Sequence, residues 1–185
     1  NFPRTGIPRV MSSYGDYSDS LADCANRLAP YFERGAVLLP GPAGGRGPEL
    51  AFHLATGRGT LPCLGSDVRA SLERLAGSER DTLRPGVADE LARIARDAPA
   101  IEGSRGILIT GPGNAGEGEA ARLVSQWEGK AEPAIVFTGY FPPDSPAARL
   151  DDSGRARYVR WNVHPRLADN VAWVRSTGAK IVMPA

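Results

Sequence analysis

The sequence predicts an α/β domain, three-layered, with a mostly parallel sheet of about six strands and helices on both faces. Three observations carry this. The runs Ala36–Pro40 (AVLLP), Gly106–Thr110 (GILIT) and Ala134–Phe137 (AIVF) are apolar without alternation, as in strands buried on both faces. Segments with apolar residues at helical spacing lie between them. Strands and helices therefore alternate along the chain, and that order needs crossovers, which make neighbouring strands parallel.

Residues 1–9 hold two prolines and a glycine and read as an irregular lead-in to a short strand and turn at 10–15 (VMSSYG). Ser18 or Asp19 suits the cap of a helix with Leu21, Cys24, Ala25, Leu28 and Phe32 inward, ending near Gly35 and disturbed by Pro30. After strand 36–40 comes the glycine-rich loop 41–50, GPAGGRGPEL, which opens a helix at Pro48 that closes at Gly57. His53 on that helix is expected to be structural or solvated. Residues 61–64 form a strand. Ser66 caps a helix with Val68, Leu72 and Leu75 inward, stopped by Gly77.

A further helix begins at Pro85 or Gly86 with Val87, Leu91 and Ile94 inward, and strand 106–110 follows. The loop GPGNAGEGE then leads into a helix through Leu123, Val124 and Trp127. Strand 134–137 gives way to a proline-rich loop at 138–150 and a turn at 151–154. The apolar run 158–163 delivers His164 at its carboxyl end. Pro165 suits a first helical position, Leu167, Val171 and Val174 share a face, and Gly178 ends that helix. A last strand at 180–183 precedes the final two residues, an ending that suggests a piece of something longer.

The 185 residues suffice for one domain with a full core, and nothing divides them in two. With 42% hydrophobic and 23% charged residues the composition is globular, and no apolar run is long enough to span a bilayer. No signal peptide is recognisable, so a cytoplasmic protein with no membrane partner is expected. The net charge of +1 excludes a globally basic nucleic-acid binder but not a local patch. Arginine far outnumbers lysine, which suits phosphate forks, although a GC-rich genome gives the same bias. Cys24 and Cys63 have neither a zinc spacing nor a disulfide framework and read as small buried residues in a reducing compartment.

Residues 111–116 (GPGNAG) fit G-x-G-x-x-G between a strand and a helix, the context of a dinucleotide fingerprint. A stand-alone Rossmann-like module binding a nucleotide or dinucleotide is therefore one alternative. Against it, the next strand ends Phe137-Thr138-Gly139-Tyr140 without a ribose-binding acid. Glu117 and Glu119 also suit the helix dipole but repel an anion.

Several stretches, in order, resemble the β-CASP domain, the insert within the metallo-β-lactamase fold of RNA-processing and DNA-repair nucleases. Val10-Met11-Ser12-Ser13-Tyr14-Gly15-Asp16 resembles the family's acid followed by Ser-Thr-Tyr-Gly. Residues 40–50 resemble its Pro-x-x-Ala-x-Gly-Arg-x-Gln-Glu-Leu. Residues 107–118 stand where the family has a strand and a loop of small residues, and 135–140 (IVFTGY) match the next strand with its Gly-Tyr. Residues 159–164 and 180–185 match the return into the lactamase fold, where a His follows a strand. The resemblance spans nearly the whole chain. It departs at Met11 for the acid, Pro48 for the Gln, Arg166 for an Asp, and a loop at Gly111 without serines.

The resemblance implies a Rossmann-like β-CASP domain whose role is to grip single-stranded RNA or DNA. Its partner would be a metallo-β-lactamase domain of the same polypeptide holding two zinc ions. The family's His-rich metal motif is not in this segment, so no cofactor and no activity are expected of the segment alone. His164 would be catalytic only in the full-length protein, and a homodimer is compatible with this. The implied nucleic-acid residues are Ser12, Ser13, Tyr14, Gly44, Gly45, Arg46, Gly113, Asn114 and Tyr140. A degenerate, non-catalytic scaffold is a third alternative, given Met11 and Arg166.

The residues support this chemistry by themselves. Arg46 follows two glycines at a helix start, where a guanidinium and free N–H groups can hold a phosphate, or Arg46 can simply pair with Glu49. Ser12, Ser13 and Tyr14 offer hydroxyls and a stacking face, with a core or hinge role for Tyr14 as the alternative. Trp161 and Trp173 are expected in the core, and Tyr140 and Phe141 at the surface.

Overall fold

The computed structural model describes residues 21–42, 44–78, 83–103, 105–127, 129–130, 132–161, 164 and 167–178. Helix α1 (Leu21–Phe32) leads to β1 (Ala36–Pro40), α2 (Arg46–Arg58), β2 (Cys63–Leu64), α3 (Ser66–Ala76), α4 (Val87–Asp97) and β3 (Gly106–Thr110). Then come α5 (Gly118–Gln126), β4 (Ala134–Phe137), α6 (Pro146–Asp152), β5 (Arg157–Tyr158) and α7 (Leu167–Thr177). The five described strands form one sheet in the order β2-β3-β1-β4-β5, parallel at every pairing. The expected α/β architecture is observed, with the strands at 36–40, 106–110 and 134–137 at their predicted bounds. The strands expected at 10–15 and 180–183 lie outside the described residues.

Burial explains why these runs are strands. Val37 and Leu39 of β1, Ile107 and Ile109 of β3, and Ala134 and Val136 of β4 point into a core shared with α1–α4. The intervening Leu38, Leu108 and Ile135, with Phe137, pack against α5 and α6 on the opposite face. A continuous apolar run feeds both layers because successive side chains alternate faces. Each fully buried Val, Leu or Ile contributes roughly 1.5–3 kcal/mol.

Some expectations need correction. Helix α2 begins at Arg46, and Pro48 sits inside its first turn, where its missing N–H removes no intrahelical bond. The helix runs through Gly57 and ends at Gly59, whose φ of 66° is the left-handed conformation that glycine favours. Gly65, not Ser66, is the N-cap of α3, and no side chain caps it. Residues 146–152, expected in a loop, form α6: Ser145 Oγ accepts the Ala148 N–H at 3.2 Å, and Pro146 takes a first-turn position.

The strand expected at 158–163 is formally two residues long. Even so, Val159 and Trp161 still donate to the Phe137 and Thr138 carbonyls at 2.8 and 2.9 Å. Leu21, Leu75, Leu167 and Val171, expected to face the core, are exposed, and α7 buries none of its residues. Cys24 is buried as expected, but Cys63 is only half-buried. Trp161 is fully buried and Trp173 half-buried. Among the described residues, no helix is long and apolar enough to cross a membrane.

Candidate nucleic-acid interface

All the strands run the same way, so the loops after β1, β3 and β4 open at one carboxyl edge. The chain leaving β1 enters α2 on one face, whereas its neighbours β3 and β4 lead to α5 and α6 on the other. Adjacent connections that diverge in this way leave a crevice between them. Here it has a volume of about 310 Å³. Pro40, Pro42 and Arg46 line it from the β1 side, Pro112, Gly113 and Asn114 from the β3 loop, and Gly139, Tyr140 and Pro142 from the β4 loop.

Of the residues expected in the nucleic-acid site, the structure brings Arg46, Gly113, Asn114 and Tyr140 together. Gly44 and Gly45 are exposed in the same loop as Arg46 without lining the crevice. Ser12, Ser13 and Tyr14 lie outside the described residues. His164 is half-buried and is not among the lining residues.

Among the described residues, Arg46 is the only charged one that lines the crevice, and it is 8% exposed. Its Nε donates to the Trp161 carbonyl at 3.2 Å, and neither Nη group has an acceptor among the described residues. The guanidinium lies against Gly139, where a Cβ would come within 2.5 Å of Arg46 Cζ. Only glycine leaves room for it there. A nearly buried cation with unused donors, lining a crevice whose described residues include no carboxylate, is suited to an anion.

The expectation that glycine amides would share this task is only partly met. Gly45 and Gly47 both donate their N–H to the Pro42 carbonyl, at 3.3 and 3.1 Å. In the β3 loop, Ala115 donates to the Pro112 carbonyl and Gly116 to Asn114 Oδ1, at 3.0 and 3.1 Å. These four amides are used within their own loops, and the guanidinium keeps donors for a ligand.

The same geometry bears on the dinucleotide alternative. In that fingerprint the middle glycine lets a pyrophosphate approach the backbone. A Cβ on Gly113 would instead meet Pro42 Cδ at 2.8 Å, so the protein's own β1 loop occupies the space that this glycine opens.

Glu49, one helical turn from Arg46, is half-buried. Burial pushes its carboxyl up from the ordinary value, opposed by the Arg46 guanidinium and, more weakly, by the Trp161 indole N–H. That N–H reaches no acceptor in hydrogen-bonding geometry. The alternative role for Arg46, as a partner of Glu49, is thus present as charge attraction without a direct hydrogen bond. His53 packs edge-on to Trp161 at 4.9 Å, a structural role as expected. Burial, with Arg58 adding to it, lowers its imidazole from the ordinary value.

Tyr140 is 76% exposed at the mouth of the crevice, as expected of a stacking residue. Phe141, expected at the surface, is half-buried between Phe137 and Tyr158. No local pattern singles out Pro42, Pro112 and Pro142 as walls. Their clustering follows from three loops meeting at one edge, which only the strand order specifies.

Among the described residues, no group of three or more His, Cys, Asp or Glu side chains is placed to hold a metal ion. Compared with known proteins, the chain matches no family model and no curated sequence.

Proposed function

We propose that this domain grips single-stranded RNA or DNA at the carboxyl edge of its sheet. In this reading it is the β-CASP part of a metal-dependent nuclease of the metallo-β-lactamase superfamily, and hydrolysis belongs to a lactamase-fold domain of the same polypeptide. The observation that carries the reading is Arg46, nearly buried and lining the crevice, with no acceptor for either Nη group among the described residues. A phosphate oxygen fits a desolvated guanidinium, and the proline walls and Tyr140 offer flat surfaces to a sugar or base. The motif order described above supplies the family. A nucleotide-binding module finds less support, because Pro42 fills the space beside Gly113.

The test is a fluorescence-anisotropy titration of a labelled single strand at low and moderate salt. One or a few phosphate contacts give weak affinity that falls as salt rises, with a slope of about 0.7 per contact for single strands. Arg46→Ala weakens binding alike for every sequence, because phosphate contacts position a strand without reading bases. Tyr140→Ala costs roughly 1–3 kcal/mol if its ring stacks on a base. Salt-independent binding, or an Arg46→Ala protein that binds as well as wild type, refutes the assignment.

A further inference from the structure

The crevice accounts for one phosphate and one base, and the surface beside it has matching chemistry. Strand β5 lies at the edge of the described sheet and pairs with β4 so that Tyr158 stands level with Phe137, the last residue of β4. Tyr158 therefore sits at the same carboxyl edge as the loop that carries Tyr140. Its ring is 44% exposed. Phe141, next to Tyr140, meets the Tyr158 ring at 5.8 Å and 88°, and is itself packed on Phe137 at 5.3 Å. One loop thus presents Tyr140 to solvent and, through Phe141, holds Tyr158 in place.

The β5 segment is basic in sequence, following Asp151 and Asp152 at the end of α6. Residues 153–161 contain Arg155, Arg157 and Arg160 and no Asp or Glu. Arg155 serves the fold, donating to the Trp127 and Pro133 carbonyls at 3.0 and 3.1 Å. Arg157 is exposed, and its Nη1 donates to the Gly154 and Ala156 carbonyls at 2.9 and 3.0 Å. Those bonds orient the guanidinium, while Nε and Nη2 have no acceptor among the described residues. A single exposed tyrosine on an edge strand is ordinary. Two exposed tyrosines flanking the half-buried Phe141, beside an oriented arginine in a strand segment without carboxylates, make a surface of defined chemistry.

We infer that Tyr158 and Arg157 form a second subsite for the same single strand, which runs from the Arg46 crevice past Tyr140 to the β5 edge. This inference rests on the nucleic-acid reading above and adds to it the direction of the strand. Base stacking tolerates any sequence because every base has a π-face, and Arg157 supplies a phosphate contact between or beside the bases. An acidic peptide would use Arg157 but has nothing to lay on the two rings.

The experiment compares wild type, Tyr158→Phe, Tyr158→Leu, Arg157→Gln and Arg46→Ala. Each is titrated with a labelled single strand of about ten nucleotides, and with a nucleoside monophosphate and polyglutamate as competitors. Tyr158→Leu keeps apolar contact with Phe141 but removes the stacking ring. It is expected to weaken the long strand roughly 5- to 150-fold and to leave the monophosphate unaffected, while Tyr158→Phe binds like wild type. Arg157→Gln lowers the salt slope for the long strand by about 0.7.

A Tyr158→Leu protein that binds the long strand as wild type does, while Arg46→Ala loses it, overturns the second subsite and leaves the crevice reading intact. Equal losses for long and short ligands would mark Tyr158 as structural and also overturn it. Polyglutamate competing as well as the oligonucleotide would replace the partner proposed here. No binding of either nucleotide ligand by wild type would refute the crevice reading, and this inference with it.

Discussion

Replacing Gly139 with alanine should damage the crevice without touching its charge. The φ of Gly139 lies outside the left-handed region, so alanine brings no backbone strain and acts only through its Cβ. That atom would lie 2.5 Å from Arg46 Cζ and 3.1 Å from Nε, closer than real contacts allow. The guanidinium is the end of a flexible chain and gives way, which breaks its hydrogen bond to the Trp161 carbonyl. A hydrogen bond from a charged group contributes about 1.5–3 kcal/mol. Alanine offsets about 0.4–1 kcal/mol of this by restricting the unfolded chain. The net loss is about 0.5–2.5 kcal/mol, or about 1–10 °C in Tm for a chain of this size.

In an Arg46→Ala background the obstructed group is gone, and Gly139→Ala should be neutral or slightly stabilising. The two substitutions therefore couple by about 1.5–3 kcal/mol in a double-mutant cycle, measured by denaturant unfolding of the four proteins. In the oligonucleotide titration Gly139→Ala should resemble Arg46→Ala although its net charge is that of wild type. Equal costs of Gly139→Ala in both backgrounds would refute the packing of guanidinium on glycine, and with it the account of why Arg46 faces the crevice.

Two further predictions concern protons. Burial raises the Glu49 carboxyl, so just above the ordinary carboxylate range the folded chain keeps a proton that the unfolded chain releases, and stability falls as pH rises through that window. Glu49→Gln should remove this part of the slope in unfolding curves taken across mildly acidic pH; an unchanged slope would contradict it. Burial and Arg58 lower His53, so on acidification the unfolded chain takes up its proton first and stability is lost as pH falls below the ordinary histidine range. The chain has two histidines, so an NMR titration resolves two imidazoles. The one lost in His53→Gln should titrate below the free imidazole value, and a midpoint at or above that value would be the contrary result.

The parts of the fold legible in the sequence are those where one cause dominates. Strands β1 and β4 have no polar residue to confuse their period, and β3 has only Thr110 at its end, because both faces are buried. Gly77 and Gly178 end helices as their positions suggest. Helix α6 was hidden because prolines at 142, 143 and 146 resemble a loop; the local signal was Ser145-Pro146, a cap followed by a residue suited to a first turn. The apolar spacing of α7 marks a helix, but not whether anything covers it.

At the site, Arg46 stands out in sequence because it follows two glycines at a helix start, and Asn114 and Tyr140 through the resemblance. That they meet depends on β1 lying between β3 and β4, which no local pattern encodes. Tyr158 marks only the start of the apolar run 158–163 in sequence and Arg157 lies outside it, since their relation to Tyr140 arises from the β4–β5 register and the ring of Phe141.

Binding of a single strand at the carboxyl edge is measurable by amide NMR of the 19.6 kDa chain during titration with an oligonucleotide. The account predicts that shifts concentrate at Gly44, Gly45 and Arg46, at Gly113 and Asn114, and at Gly139 and Tyr140, and that they are lost in Arg46→Ala. Shifts confined to the opposite edge of the sheet, or a spectrum unchanged by saturating oligonucleotide, would contradict it.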